Sequence, residues 1–333
     1  MMDFLTVLSD ALRGAVGVEA IVYVMAAIGL NLHFGYAGLL NFGQVGFMLV
    51  GMYGVAISVG TFELPLWVGL LVGIGLAVVL ALLLGIPTLR LRSDYLAIST
   101  IAAGEILRLT FGSRVFEDIT GGVYGLQGIA QEFRDANPLP DMTYGVPGVL
   151  AFTHRDAWVL LVGWLVVALL LVVSWLLIHS PWGRVVKGIR EDEDAVRSLG
   201  KNVYLYKMQV LVLGGVFGAL AGAVWILHLG NVQHTYFMPI VTFMLWAGMI
   251  LGGPGRILGP VLGMVILQFF LTGMDSLLRE AIGSGVIPAD TLSSSAVGSI
   301  RFVLVGVVLM ALMVFRPQGI LGSRKEMLVN VQR

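Results

Sequence analysis

The sequence predicts an all-α membrane protein, a polytopic bundle of about eight to nine transmembrane helices with an amphipathic helix on the cytoplasmic side. Of the 333 residues, 58% are hydrophobic and only 12% are charged, whereas charged residues make up about 25% of typical soluble domains. The mean hydropathy is +0.93. Apolar segments also recur at lengths near the roughly 20 residues that a helix needs to cross the hydrocarbon core of a bilayer.

Composition and missing motifs exclude several functional classes. The 20 basic and 20 acidic residues cancel, so no overall basic field favours a nucleic-acid partner. The chain has no Cys, which excludes disulfides and thiolate metal sites. It contains neither a G-x-x-x-x-G-K-[ST] phosphate-binding loop nor an H-E-x-x-H or G-x-S-x-G motif. We therefore expect no catalytic residue, no metal site and no cofactor in this chain, and no enzymatic activity of its own.

Nine apolar segments are candidate membrane spans, and residues 1–333 are predicted to form one transmembrane domain. The segments are 15–34, 41–60, 65–86, 95–111, 157–179, 208–229, 238–251, 257–273 and 300–315. Arg13 and Glu19 lie at the start of the first segment, which lacks a small-residue cleavage site, so we predict a retained span rather than a signal peptide. One re-entrant segment would reduce the count of crossings to eight.

Basic residues fall mainly in alternate connections, which predicts the orientation of the chain. Most Lys and Arg residues lie in the connections around 90, 184–207 and 256 and in the C-terminal segment. By the positive-inside rule this side is cytoplasmic. The C-terminus is then cytoplasmic and, with nine crossings, the N-terminus lies outside. The connection 112–156, rich in Gly, Pro and acidic residues, is predicted to be an extracytoplasmic loop.

The other long connection, 180–206, is predicted to contain an amphipathic helix on the cytoplasmic side. After Pro181, apolar residues share one helical face, while charged residues, including the run 191–194, lie elsewhere. Gly200 is suited to end this helix. We expect the helix to lie against the membrane or a partner. The residues of the apolar face are Val185, Ile189, Val196 and Leu199.

Two apolar regions are interrupted by Gly, Pro and polar residues. The first interruption, 31–44, carries Asn31, Asn41 and Gln44, and the second is 252–260. Paired interruptions of this kind are typical of a transport path, although ordinary tight turns between helices would show the same residues. We take Asn31, Asn41 and Gln44 as candidate path residues, because polar groups at membrane depth face protein or water.

Glu105 is a further candidate path residue, because it lies near the middle of the predicted span 95–111. An ionisable side chain there is costly and normally faces the interior of the bundle. Arg108 follows at i+3, so a purely structural ion pair is the alternative. Gly-x-x-x-Gly patterns, as at Gly214, Gly218 and Gly222, predict close helix packing, mainly within this chain.

Six motifs in the same order resemble the inner-membrane permease subunits of branched-chain amino acid (leucine/isoleucine/valine) ABC transporters. The resemblance covers almost the whole chain. The motifs are GLNLHFGYAGLLNFGQ (29–44), YLAISTIAAGE (95–105), TGGVYGL (120–126), GRVVKGIREDEDA (183–195), GGPG (252–255) and FRPQGIL (315–321).

This resemblance implies a multi-pass protein of the cell inner membrane that works within a complex and contacts membrane lipid. The implied partners are a second homologous permease, two cytoplasmic ATPase subunits that bind ATP and Mg, and an external substrate-binding protein. It also implies that the amphipathic helix couples this chain to an ATPase. The residues assigned to that contact are Arg184, Val185, Lys187, Ile189, Arg190, Glu191, Asp192, Val196 and Leu199.

The resulting functional prediction is a permease that forms the translocation path for branched-chain or other hydrophobic amino acids in an ATP-driven importer. Permeases for urea and short amides have very similar sequences, so another cargo remains an alternative. A stand-alone channel or secondary transporter is a second alternative. The charged connection 180–206 favours the importer, because a self-sufficient channel needs no docking helix.

Overall fold

The computed structural model describes residues 4–90, 93–146 and 150–284, together with isolated positions between 300 and 322. The helices are α1 (Phe4–Val16), α2 (Val18–Leu30), α3 (Gln44–Gly60), α4 (Leu66–Thr88), α5 (Ser93–Phe111), α6 (Glu117–Thr120), α7 (Gln131–Asp135), α8 (His154–His179), α9 (Pro181–Glu191), α10 (Glu193–Ser198), α11 (Val203–Leu229), α12 (Pro239–Gly252) and α13 (Gly259–Gly283). A π-helix over Asn31–Tyr36 continues α2, and short 3₁₀ turns cover Arg114–Phe116 and His234–Phe237.

Strands are a minor part of the described chain. They are β1 (Leu126–Gln127), β2 (Tyr144–Val146), β3 (Leu150–Phe152) and β4 (Asn231–Val232). β1 pairs with β4 and β2 pairs with β3, both in antiparallel fashion. β1 to β3 and the short helices α6 and α7 lie within the predicted loop 112–156, so this loop has local structure of its own.

Among the described residues, five helical segments are long and apolar enough to cross a membrane, as expected of an all-α, multi-pass membrane protein. They are Phe4–Tyr36, Leu66–Thr88, His154–His179, Val203–Leu229 and Gly259–Gly283. α3 and α12 are apolar but shorter, and α5 has sufficient length but carries Asp94, Glu105 and Arg108. The first eight predicted spans each fall on one of these helices, whereas 300–315 lies largely outside the described residues.

α11 is the central helix of the bundle and packs against α2, α3 and α4. Lipid is as apolar as a side chain, so close packing of small residues holds such helices together. A Cβ added at Gly222 would overlap the carbonyl of Met48 and lie 3.0 Å from the nitrogen of Met52 on α3. The prediction that the glycine pattern of α11 packs within this chain is confirmed.

The connections between helices gather at two opposite ends of the bundle, as expected if successive connections lie on alternate sides of the membrane. At one end, segments 37–39, 88–89 and 189–193 line a shared cavity of about 310 Å³. At the other end, β1 from the loop 112–156 pairs with β4, which follows α11. The basic connections around residue 90 and over 184–207 therefore lie together, on the side that the sequence predicts to be cytoplasmic.

The predicted amphipathic helix is two helices rather than one. The backbone at Asp192 turns out of the helical conformation (φ −154°, ψ 100°), and its carboxylate accepts a hydrogen bond from the N–H of Ala195 at 3.0 Å. This N-cap ends α9 and starts α10 in a new direction. Leu199 is consequently 79% exposed, and the prediction that it shares an apolar face with Ile189 is wrong.

The close approach of α11 and α3 predicts a stability difference between two glycine substitutions. Gly222→Ala has no room for its methyl group and should destabilise the fold by about 1–3 kcal/mol. Gly75→Ala on α4 is the matched control, since nothing lies within 4 Å of its added Cβ, and the better helix propensity should stabilise by up to about 1 kcal/mol. Thermal unfolding in detergent measures both, and equal melting temperatures would contradict the packing argument.

Candidate functional site

The interruption at 31–44 is a break in helical structure inside the bundle. The π-helix Asn31–Tyr36 is followed by an irregular segment, 37–43, in which Gly38 adopts a left-handed conformation (φ +70°). Backbone groups without helical partners must find other hydrogen-bond partners when they are buried. The N–H of Phe42 donates to the hydroxyl of Thr100 on α5 at 3.0 Å. The N–H of Val45 donates to the hydroxyl of Thr242 on α12 at 3.1 Å.

His33, Asn41 and Gln44 form a fully buried hydrogen-bond network around this break. The Asn41 amide nitrogen lies 3.0 Å from His33 Nδ1 and donates to Gln44 Oε1 at 3.1 Å. Since an amide NH₂ only donates, His33 Nδ1 accepts, and the ring proton resides on Nε2. His33 Nε2 then donates to the carbonyl of Leu211 on α11 at 3.1 Å. The geometry therefore assigns His33 as neutral.

Gln44 ties the start of α3 to two neighbouring helices. Its amide nitrogen donates to the carbonyl of Ala26 on α2 at 3.2 Å and to that of Gly214 on α11 at 3.0 Å. Gly214 must be glycine at this contact, because an added Cβ would overlap the ring of His33 and approach Gly29. The glycine pattern of α11 thus brings its backbone within reach of the polar side chains.

Asn31 joins the two interruptions that the sequence identifies. Its side-chain oxygen accepts from the N–H of Gly255 at 2.8 Å, and its amide nitrogen donates to the carbonyl of Arg256 at 3.0 Å. Both partners belong to the connection between α12 and α13. The carboxamide therefore satisfies one donor and one acceptor of an irregular loop, and the two interruptions meet in space.

An aromatic cluster covers the break on the side of α12. The Trp246 indole N–H donates to the carbonyl of Asn41 at 3.0 Å. Its ring stacks on Phe42, with centroids 4.8 Å apart and planes inclined by 14°, and meets Phe34 edge-on at 4.7 Å. Phe243 contacts the ring of Phe42 with centroids 5.7 Å apart. These contacts fix the irregular segment against α12.

Three of the four predicted path residues, Asn31, Asn41 and Gln44, are thus buried and bonded to protein in this conformation. Their role in a path stays a prediction. The residues that sequence reasoning missed are His33, Thr100 and Thr242. His33 is one of five histidines scattered along the sequence, and a single Thr within an apolar helix gives little signal, although it commonly bonds to backbone.

Glu105 lies apart from this network and forms an ion pair with Arg108. The guanidinium donates from Nε to Oε2 at 2.8 Å and from Nη2 to Oε1 at 2.5 Å. The side chains are 35% exposed for Glu105 and 15% exposed for Arg108. On α5 the neighbouring Ile98 and Ile106 are exposed as well, so the pair lies beside an outward-facing apolar surface.

The coupling residues assigned from the resemblance differ in their surroundings. Arg184, Lys187 and Glu191 are exposed, as is Leu199. Ile189 and Val196 are buried against Val203, with Val185 packed beside them. Asp192 caps α10. Arg190 has an exposed side chain whose Nη1 donates to the carbonyl of Gly35 in the π-helix. Within the part of the chain that the structure describes, no cluster of His, Asp and Glu could hold a metal ion.

Comparison with known proteins identifies the family. Residues 14–315 match the family described as "Branched-chain amino acid transport system / permease component". The chain belongs to this family. It is 29% identical to the high-affinity branched-chain amino acid transport system permease protein LivM of Escherichia coli (strain K12), over 95% of this chain and 72% of that protein.

Two further relatives extend the comparison. The probable branched-chain amino acid transport permease protein LivM of Methanocaldococcus jannaschii is 27% identical over 91% of both chains. The autoinducer 2 import system permease protein LsrC of Klebsiella pneumoniae is 33% identical over 40% of each chain. The family assignment confirms the resemblance found in the sequence and the prediction of a transport subunit rather than an enzyme.

The buried network predicts that Gln44 contributes to stability through its hydrogen bonds. Gln44→Leu keeps the approximate volume but removes both donated bonds and leaves the buried Asn41 amide without its acceptor Gln44 Oε1, which should cost about 1–3 kcal/mol. Gln131→Leu, at an exposed glutamine paired with Asp135, should change stability by less than about 0.5 kcal/mol. Thermal unfolding in detergent compares the two, and equal effects would argue against the network.

Proposed function

We propose that this chain is the membrane permease of an ATP-driven importer and forms the translocation path for branched-chain amino acids. The observation that carries this proposal is the family match across residues 14–315. The long apolar helices supply the membrane-spanning part. ATP hydrolysis takes place in separate subunits that bind ATP and Mg, since the family consists of permease components.

Branched-chain amino acids are the cargo that the comparisons favour. The relatives named for these amino acids match 95% and 91% of this chain, whereas the autoinducer 2 permease matches 40%. A urea or short-amide importer would use the same machinery with another cargo. Competition of labelled leucine uptake by unlabelled isoleucine, valine or urea separates these alternatives.

The working complex contains a second homologous permease, two cytoplasmic ATPase subunits and an external substrate-binding protein. α9 and α10 contact an ATPase subunit through their exposed residues Arg184, Lys187, Glu191 and Leu199. Leu199, which is 79% exposed, would add an apolar contact to this charged surface. This orientation makes the C-terminus cytoplasmic.

The path runs beside the outward face of α5. A charged pair facing lipid would be costly, so the surface with Glu105 and Arg108 faces the second permease or a water-filled path between the two permeases. Asn31, Asn41 and Gln44 hold the irregular segment behind this face. In this proposal their network rearranges when the path opens.

Purification of the complex and reconstitution of transport test the proposed function. We expect the chain to co-purify with an ATPase and a second permease, and proteoliposomes to take up leucine only with ATP and the binding protein. Leu199→Ser should reduce recovery of the ATPase, whereas Val115→Ser, at an 84% exposed position in the loop after α5, should leave it unchanged. Uptake by this chain alone without ATP would favour a channel or secondary carrier.

The ion pair on α5 gives a separate test of the path. Glu105→Gln leaves Arg108 unpaired and should lower both stability, by about 1–3 kcal/mol, and uptake. In the double variant Glu105→Gln/Arg108→Gln we expect stability to return, because no uncompensated charge remains, while uptake stays low. Thermal unfolding and leucine uptake are measured on the same preparations. Recovery of both quantities would assign the pair a structural role only.

A further inference from the structure

Arg190 lies on the same helix as the exposed residues proposed to face the ATPase, but its guanidinium group contacts the interrupted segment of the bundle. Nη1 donates to the carbonyl of Gly35, near the end of the π-helix. The neighbouring Lys187 lies over the ring of Tyr36, with Nζ 5.9 Å from the ring centroid. Two cations of α9 therefore contact the last two residues of the π-helix.

The contact continues from Gly35 into the second interruption. A Cβ added at Gly35 would overlap the Asn31 side chain and lie 2.5 Å from the nitrogen of Gly255. A Cβ added at Gly255 would lie 3.0 Å from both Arg190 Nη1 and the carbonyl oxygen of Gly35. Arg190, Gly35 and Gly255 thus meet at contact distance, and Asn31 bonds to the same loop.

Since Gly35 has no side chain and Gly255 adopts a left-handed conformation (φ +76°), neither position accepts a larger residue without displacement. Asn31, in turn, begins the π-helix that contains His33, the buried ring bonded to Asn41 and α11. A displacement of α9 toward or away from the bundle therefore acts directly on the segment that carries the buried network.

We propose that Arg190 is a positioning residue that couples α9 to the interrupted segment through its bond to Gly35. Asn31 extends this coupling to the connection between α12 and α13. This inference rests on the proposed function, because it requires an ATPase that moves α9. The bond from Arg190 to Gly35 stays intact throughout the transport cycle, so movement of α9 displaces the π-helix. The i→i+5 hydrogen bonds of a π-helix are an uncommon arrangement often found at functional sites. Arg190 touches no solute.

The coupling of ATP hydrolysis to transport is measured as the number of leucine molecules taken up per ATP hydrolysed. The sample is the complete transporter, reconstituted in proteoliposomes with its binding protein. Arg190→Gln should leave assembly intact and lower this ratio at least about fivefold, the lower end of usual coupling effects. Arg190→Lys, which keeps a cationic donor, should recover part of the loss. Arg197→Gln is the matched control, because among the described residues Arg197 bonds to Glu193 and Asp194 of its own helix α10.

A covalent replacement of the contact tests the same proposal without relying on loss of function. The chain has no Cys, so within this chain only the introduced thiols can be oxidised to a disulfide. A Cβ at Gly38 would lie 3.9 Å from the Cβ of Arg190, within the range of a disulfide. In Gly38→Cys/Arg190→Cys, the left-handed backbone at Gly38 (φ +70°) strains the oxidised and the reduced form alike, so the two forms are compared with each other, and we expect oxidation to raise the leucine-to-ATP ratio. The single variant Gly38→Cys should not respond to oxidation.

The outcomes separate this inference from the proposed function. Wild-type complex without ATP-dependent uptake would overturn the proposed function before any variant is compared. Normal coupling in Arg190→Gln within a competent complex would overturn the role of Arg190 alone. A leucine-to-ATP ratio that is unchanged or lower after oxidation of the Cys pair would also overturn the proposed role of Arg190. In that case a covalent connection between α9 and the interrupted segment would not transmit the motion of α9.

Discussion

Buried backbone N–H and C=O groups need hydrogen-bond partners, and the interrupted segment 37–43 is where this requirement shapes the bundle. Helical hydrogen bonding stops after the π-helix and resumes at Gln44. The missing partners are supplied by side chains from α5 and α12, through Thr100 and Thr242, and by Asn41 within the segment. These helices are therefore held around the break by polar contacts that are expensive to leave unmade.

The same requirement explains the position of α11. His33 and Gln44 donate to the carbonyls of Leu211 and Gly214, and they reach these backbone atoms only because Gly214 has no side chain. The small-residue pattern of α11 is thus both a packing feature and a condition for the network. In a bundle surrounded by lipid, close packing and satisfied polar groups replace the hydrophobic burial that stabilises soluble proteins.

Hydropathy predicted the helices because a span must be apolar along its whole length, and polar residues within apolar sequence marked both interruptions. Partners could not be predicted in the same way, since the bond from His33 to Leu211 joins positions 178 residues apart. The error at Leu199 has a local cause. Asp192 was taken as part of a charged helix face, whereas its carboxylate caps a new helix, as Asp often does at such positions.

The contact of Arg190 with Gly35 follows from the same principle at the end of a helix. The last carbonyls of any helix lack partners and carry partial negative charge. The N–H of Leu39 satisfies the carbonyl of His33 and the N–H of Gly38 that of Phe34, while the carbonyl of Gly35 accepts from Arg190. A cation is the favourable partner there. The helix proposed to meet the ATPase therefore also completes the hydrogen bonding of the π-helix, so a change in its position displaces the interrupted segment.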